Sequence, residues 1–186
     1  VGELKDLSMP SVRFSVSVEP MESDTGFDAT GADNVKFLIS ANAGEALGRI
    51  SKIASGGELS RIMLAMKTVF SKNDPIETMV FDEIDTGVSG IAAQRVGEKM
   101  SDLSRGKQVL CITHLPQIAA IADNHDLIEK TERNGRTYTE VRELDRKGRA
   151  LELARMHGGD NISELTLASA EEQLLAADKY RLTRNN

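Results

Sequence analysis

Apolar residues fall at every second position in Val12, Phe14, Val16 and Val18, with Arg13, Ser15 and Ser17 between them. That period of two predicts a half-buried strand. A polar loop rich in Gly and Asp, from about Glu19 to Asn34, leads to a second strand around Val35–Ser40. The two together predict an antiparallel arm, followed by a flexible connection through Asn42–Lys52.

After Ser55 the period lengthens. Leu59, Ile62, Met63, Met66 and Phe70 share one helical face, and Asn73-Asp74-Pro75 stops the helix. Met79–Phe81 is continuously apolar, as expected of a parallel strand covered on both faces. A helix from about Ser89 to Leu103 should present Ala92, Val96, Met100 and Leu103. A second apolar run, Val109–Ile112, precedes a short helix opening near Pro116, where the missing N–H costs nothing. Strand, helix, strand, helix in this order predicts an α/β domain with parallel pairing. Residues from about Asp126 to Leu144 read as a charged hairpin turning at Asn134-Gly135. Two helices follow, about Arg146–His157 and Ser163–Tyr180, separated by Gly158-Gly159.

Bulk composition narrows the class without naming a function. The chain has 186 residues, 40% hydrophobic and 28% charged, in the range of an ordinary globular domain with a real core. No apolar run approaches the roughly 20 residues of a membrane span, and no signal peptide is visible. Cys111 is the single cysteine, so no internal disulfide can form. A net charge of −6 argues against strong DNA binding by this chain alone, because phosphate affinity comes largely from Lys and Arg. The chain opens on Val1 and reads as a piece of something longer.

The candidate chemistry is a set of signals in a fixed order. Ser55-Gly56-Gly57 stands where an amphipathic helix should begin. There, backbone N–H groups and the helix dipole favour phosphate, and glycine lets the backbone approach closely. An ordinary Ser N-cap would look the same. Asp82 and Glu83 close the first apolar strand, at the edge where open α/β sheets place ligands. Asp82 can supply an oxygen ligand to Mg²⁺ and Glu83 can polarise an attacking water, whereas a solvated acidic loop is the plain alternative. Asp85-Thr86-Gly87 could be a plain turn, but its place directly after that pair favours a role at a nucleotide site, with Asp85 among the ATP-binding residues. His114 ends the second apolar strand, where it can reach a terminal phosphate or the attacking water, or simply cap a helix. His125 and His157 have no such placement, and no Cys/His grouping has zinc-ligand spacing.

With these residues in hand, the chain resembles the C-terminal half of an SMC-like head of the ABC type. The resemblance rests on FLISANAGE, KIASGGELSRIMLAMK, VFDEIDTGVSG, ITHLPQIAAIAD and ELARMHGGDNIS, which together span nearly the whole length. It implies an α/β fold, the C-terminal lobe of a P-loop NTPase head with a parallel-rich sheet and an antiparallel β arm. Residues 1–7 would be a coiled-coil stub, 8–53 the arm and its connection, and 54–186 the signature and Walker B core with its terminal helices. It also implies roles. Ser55, Gly56, Gly57 and Glu58 would be the signature motif that meets ATP on an opposing head. Asp82 would be the Walker B carboxylate that helps hold Mg²⁺, Glu83 the catalytic base, Asp85 the D-loop aspartate and His114 the switch histidine. The signature reads ASGGE rather than LSGGQ, a variation SMC-like heads tolerate.

No GxxxxGK[ST] occurs in the chain, so the phosphate-cradling loop and its lysine are expected in an N-terminal segment beyond a long coiled coil. The implied partners are that N-terminal Walker A half, a second head in an ATP-dependent homodimer, and DNA through the full-length protein. The implied setting is the bacterial cytoplasm, on the nucleoid, in DNA double-strand break repair and recombination. Alternatives are a non-catalytic SMC-like interaction module, the head of another SMC-like chromosome protein, or a transporter cassette. The intact Asp82-Glu83 pair and His114 disfavour the first, and the block after His114 disfavours the last.

Overall fold

The computed structural model describes residues 1–22, 26–50, 56–71 and 73–184. Two compact units make up the chain, Val1–Asp74 and Pro75–Asn186.

The first unit opens with α1 (Gly2–Asp6) and continues with β1 (Arg13–Pro20), β2 (Asp33–Ser40), β3 (Gly48–Arg49) and α2 (Gly56–Phe70). The strands form one antiparallel sheet in the order β1-β2-β3. Register sets Phe14 opposite Ile39, Val16 opposite Phe37 and Val18 opposite Val35, so the apolar residues share a face. The Phe14 and Phe37 rings stack with centroids 5.9 Å apart. The expected arm is present, but its burial is not. Ile39 is fully buried while Val16, Val18, Val35 and Phe37 are exposed, because a sheet face is buried only where another layer covers it.

In α2 the buried face is Gly57, Arg61, Ile62, Leu64 and Ala65, rotated from the one the sequence pattern predicted. Leu59, Met63 and Phe70 are exposed. With apolar residues spread over most of the helix circumference, periodicity alone selects the wrong stripe. The helix ends at Phe70, whose carbonyl accepts from the amides of Asn73 and Asp74, close to the expected stop.

The second unit carries β4 (Thr78–Phe81), α3 (Gly90–Leu103), β5 (Gln108–Cys111), α4 (Pro116–Ile121), β6 (Asp126–Arg133), β7 (Arg136–Glu143), α5 (Arg146–Gly158) and α6 (Glu164–Arg184). β4 and β5 pair in parallel, with Thr78 opposite Gln108 and Phe81 opposite Cys111. The ladder extends at both ends, Gln108 N–H donating to Glu77 O at 2.7 Å and Ile112 N–H to Phe81 O at 3.0 Å. β4 is covered on one face only, contrary to the expected double cover: Met79 and Phe81 are buried, and Val80 is exposed. β6 and β7 form the expected hairpin, with Asn134 and Gly135 at φ of 53° and 70°, the left-handed pair a two-residue turn requires.

The core of this unit is helical. Ala119, Ala120, Ala150, Leu153, Ala154, Ala170 and Leu174 form one buried cluster joining α4, α5 and α6. Small side chains let these helices approach closely. At Gly97 on α3 the approach is closer still, since a Cβ there would meet Ile121 Cγ2 at 2.9 Å. Asp145 caps α5 by accepting from Gly148 N–H at 2.7 Å. Among the described residues no helix is long and apolar enough to cross a membrane.

Candidate functional site

The parallel pairing of β4 and β5 delivers two chain segments to one sheet edge. Beyond Phe81 run Asp82, Glu83, Ile84 and Asp85, and beyond Cys111 run Ile112, Thr113 and His114. Ile84 is fully buried and anchors the first segment, while Asp82 and Glu83 on its strand side are exposed. Glu83 adopts φ of +55°, a left-handed conformation that costs a non-glycine residue about 1–2 kcal/mol. The tight turn that follows imposes it. Thr86 N–H donates to Glu83 O at 3.1 Å, Val88 N–H to Asp85 O at 3.2 Å, and Gly87 completes the reversal at φ of 74°.

That turn drives Asp85 inward. Its side chain is only 2% exposed, and Oδ2 receives Thr113 Oγ1–H at 2.6 Å and His114 N–H at 2.9 Å. The same oxygen lies 3.1 Å from His114 Nδ1. An ionised carboxylate only accepts, so Nδ1 carries a proton in this contact. Nε2 is then left as the free nitrogen of a ring whose side chain is 74% exposed. In its neutral form that nitrogen accepts a hydrogen bond, and when protonated it donates one to an anion. Thr113 Oγ1 also accepts from Leu115 N–H at 3.0 Å, so three consecutive residues after β5 are tied to one aspartate.

The side-chain carboxylates of Asp82 and Glu83 differ from that of Asp85 in having no hydrogen-bond or ion-pair partner among the described residues. The field of Asp82 still reaches into the sheet. Burial, reinforced by the negative charges of Asp85 and Asp82, pushes the Cys111 thiol up to about 12, so it stays protonated and unreactive. An exposed carboxylate without a counter-charge is the donor that Mg²⁺ uses, since this ion takes one or two carboxylates and completes its shell with water and phosphate oxygens. No cluster of three or more His, Cys, Asp or Glu able to enclose a metal occurs among the described residues.

The remaining expected residues lie in the first unit. Gly56 is the first residue of α2, Gly57 is buried, and Glu58 is half-buried with Oε2 lacking a hydrogen-bond partner among the described residues. Burial lowers the pKa of Arg61, one turn along, and Glu58 partly opposes that shift. Ser55 lies outside the described residues. The other histidines have ordinary surroundings. His157 Nε2 is 2.9 Å from Gln173 Oε1, and burial beside Arg149 lowers the pKa of His125.

Thr113 was not singled out by the sequence. Its only signal was a hydroxyl directly before a histidine at a strand end, which carries meaning only once Asp85 is known to point at it. Thr113→Val keeps the shape but removes a donor to a buried carboxylate. The expected result is a stability loss of about 1.5–3 kcal/mol, read by denaturant unfolding. A change below a few tenths of a kcal/mol would mean that the contact with Asp85 contributes nothing.

No protein-family model matches the chain. Relatives do. It is 51% identical to the DNA repair protein RecN of Bacillus subtilis over 82% of its own length and 27% of the relative. It is 47% identical to RecN of Halalkalibacterium halodurans, over 92% of the chain and 31% of the relative. It is 46% identical to RecN of Treponema pallidum, over 97% and 32%. Among solved structures, a Pyrococcus yayanosii Smc head domain with coiled coil and joint aligns at TM-score 0.60 and 23% identity, over 84% of this chain and 28% of that one. A structure concerned with ATP-driven dimerization and DNA-stimulated activation of SMC ATPases aligns at TM-score 0.53 and 21% identity, over 86% and 89%. The fold is therefore that of an SMC ATPase head. The chain spans about a third of the length of the curated relatives it matches, and as such a segment it belongs to the RecN family of DNA repair proteins.

Proposed function

We propose that the chain is the signature and Walker B part of an ATP-hydrolysing head in a RecN-type protein that acts in DNA double-strand break repair and recombination. The observation that carries this reading is the edge of the β4–β5 pair. A carboxylate couple without partners among the described residues, Asp82 and Glu83, stands there beside a histidine whose ring is fixed by Asp85.

In this reading Asp82 helps hold Mg²⁺, which when bound neutralises charge on the β- and γ-phosphates of ATP. Glu83 takes a proton from the attacking water as its oxygen bonds to the γ-phosphorus and the bond to the β-phosphate oxygen breaks. His114 presents Nε2 to the γ-phosphate or to that water. Asp85, buried and engaged through Oδ2 with Thr113 and His114, acts by orienting the imidazole. Ser55, Gly56, Gly57 and Glu58 approach ATP held by a second head, so that two heads of a homodimer close on nucleotide and part after hydrolysis. DNA is engaged by the full-length protein, in the cytoplasm and on the nucleoid.

The Walker A loop comes from an N-terminal half of the same protein. Two features support that. The chain has no GxxxxGK[ST], and the β4–β5 pair leaves Val80, Leu110 and Ile112 exposed, apolar side chains that another layer would bury. The purified chain alone is accordingly expected to bind ATP weakly and to hydrolyse it at background rate, while the full-length protein turns it over with Mg²⁺. Robust Mg²⁺-dependent turnover by the chain alone, lost on changing Glu83, would overturn the requirement for a second half.

A further inference from the structure

The helix that follows His114 is held from outside. α4 has six residues, Pro116–Ile121, far below the roughly 12–15 at which an isolated helix becomes even marginal in water. Its last carbonyls lack intrahelical donors, as at every helix C-terminus. Two guanidinium groups serve them. Arg149 on α5, buried, donates from Nη2 to Ala120 O at 3.0 Å and Ala122 O at 2.7 Å, with Ala119 O at 3.4 Å. Its Nη1 donates to Asp123 O at 3.2 Å. Arg181 on α6 donates from Nη1 to Ile121 O at 3.1 Å and also to Ala122 O, and it pairs with Asp178.

A buried guanidinium is an expensive way to fill space, because each ion taken from water costs several kcal/mol after relaxation. Arg149 has no carboxylate within ion-pairing distance among the described residues. Its charge is balanced by carbonyl oxygens at the negative end of a helix. An apolar side chain would occupy the same volume without that desolvation. What the guanidinium adds is a planar, rigid set of donors that fixes where those carbonyls lie. The other end of α4 is the site: Leu115 precedes Pro116 and donates to Thr113 Oγ1, and His114 N–H and Nδ1 meet Asp85.

We propose that Arg149, assisted by Arg181, is a positioning residue for His114: by clamping the C-terminal carbonyls of α4 it sets the helix so that the preceding imidazole meets Asp85. Both α5 and α6 thereby act on the switch histidine without touching nucleotide. This rests on His114 serving ATP hydrolysis as described above.

The test is a double-mutant cycle on ATP turnover in the full-length protein, with Arg149→Met, His114→Ala and the pair. Arg149→Met is expected to lower kcat on the order of tenfold or more with ATP affinity unchanged, as small displacements of reacting groups do. It should have no further effect in the His114→Ala background, and Arg149→Lys should recover part of the loss. Should Arg149→Met fail to fold, Arg181→Met enters the same cycle, since it removes the donors to Ile121 and Ala122 together with the ion pairs to Asp178 and Asp123 and leaves Arg149 in place. Unchanged kcat, or an effect undiminished when His114 is already absent, would overturn the positioning role while leaving the hydrolytic reading intact. Normal turnover by His114→Ala would overturn both.

Discussion

Replacing Glu83 by Gln in the full-length protein is expected to slow ATP hydrolysis by about 10²–10⁴-fold while ATP continues to bind, because the amide keeps the shape of the carboxylate and loses its basicity. The surroundings of Glu83 make it suited to the role. It is exposed just beyond the end of β4, its carboxylate has no partner among the described residues, and it is held at φ of +55° by the turn that buries Asp85. Gln tolerates that conformation no better than Glu, so the substitution changes chemistry without changing backbone strain. Heads carrying the variant should stay engaged in ATP. Steady-state turnover alongside nucleotide affinity checks this, and near-normal turnover would show that another group accepts the proton.

Ser55→Arg separates two readings of the same residue. It immediately precedes Gly56, the first residue of α2. If it only caps the helix, its loss should lower stability by about 1 kcal/mol and leave head association untouched. If it meets the γ-phosphate of ATP on an opposing head, the bulky cation should abolish ATP-driven dimerisation, while each head still binds ATP on its own Walker A loop and melts near the native temperature. The second outcome is expected. Sedimentation with ATP in the Glu83→Gln background measures it directly, and association undiminished by Ser55→Arg would remove the trans-acting role.

The residues that could be read from the sequence are those whose meaning is local. The β4–β5 pairing followed from two short apolar runs, the Asn134-Gly135 turn from residues that accept left-handed backbone, and α4 from Pro116 at its first turn. The placement of Asp82, Glu83 and His114 just beyond the ends of β4 and β5 was legible from the two apolar runs they follow. What could not be read depends on neighbours distant in the chain. The exposure of Val16, Val18 and Phe37 is decided by what covers the sheet, not by their own alternation. The buried stripe of α2 was misjudged because Leu64 and Ala65 are no less apolar than Leu59 and Met63. Asp85 read as the D-loop aspartate at the nucleotide site, but its hydrogen bonds to Thr113, 28 residues away, and to His114 could not be read. Arg149 gave no signal at all, since its role exists only through the carbonyls of a helix 26 to 30 residues earlier.

The most direct test of a composite ATP site uses two variants that are each inactive. Full-length Glu83→Gln and Ser55→Arg proteins are co-expressed with different tags, and the mixed dimer is purified through both. In that dimer one site combines both defects, and the other pairs an intact Glu83 on one head with an intact Ser55 on its partner. Turnover well above that of either variant alone is the predicted result. A mixed dimer as inactive as its parents would contradict the assignment of signature and carboxylates to opposite heads.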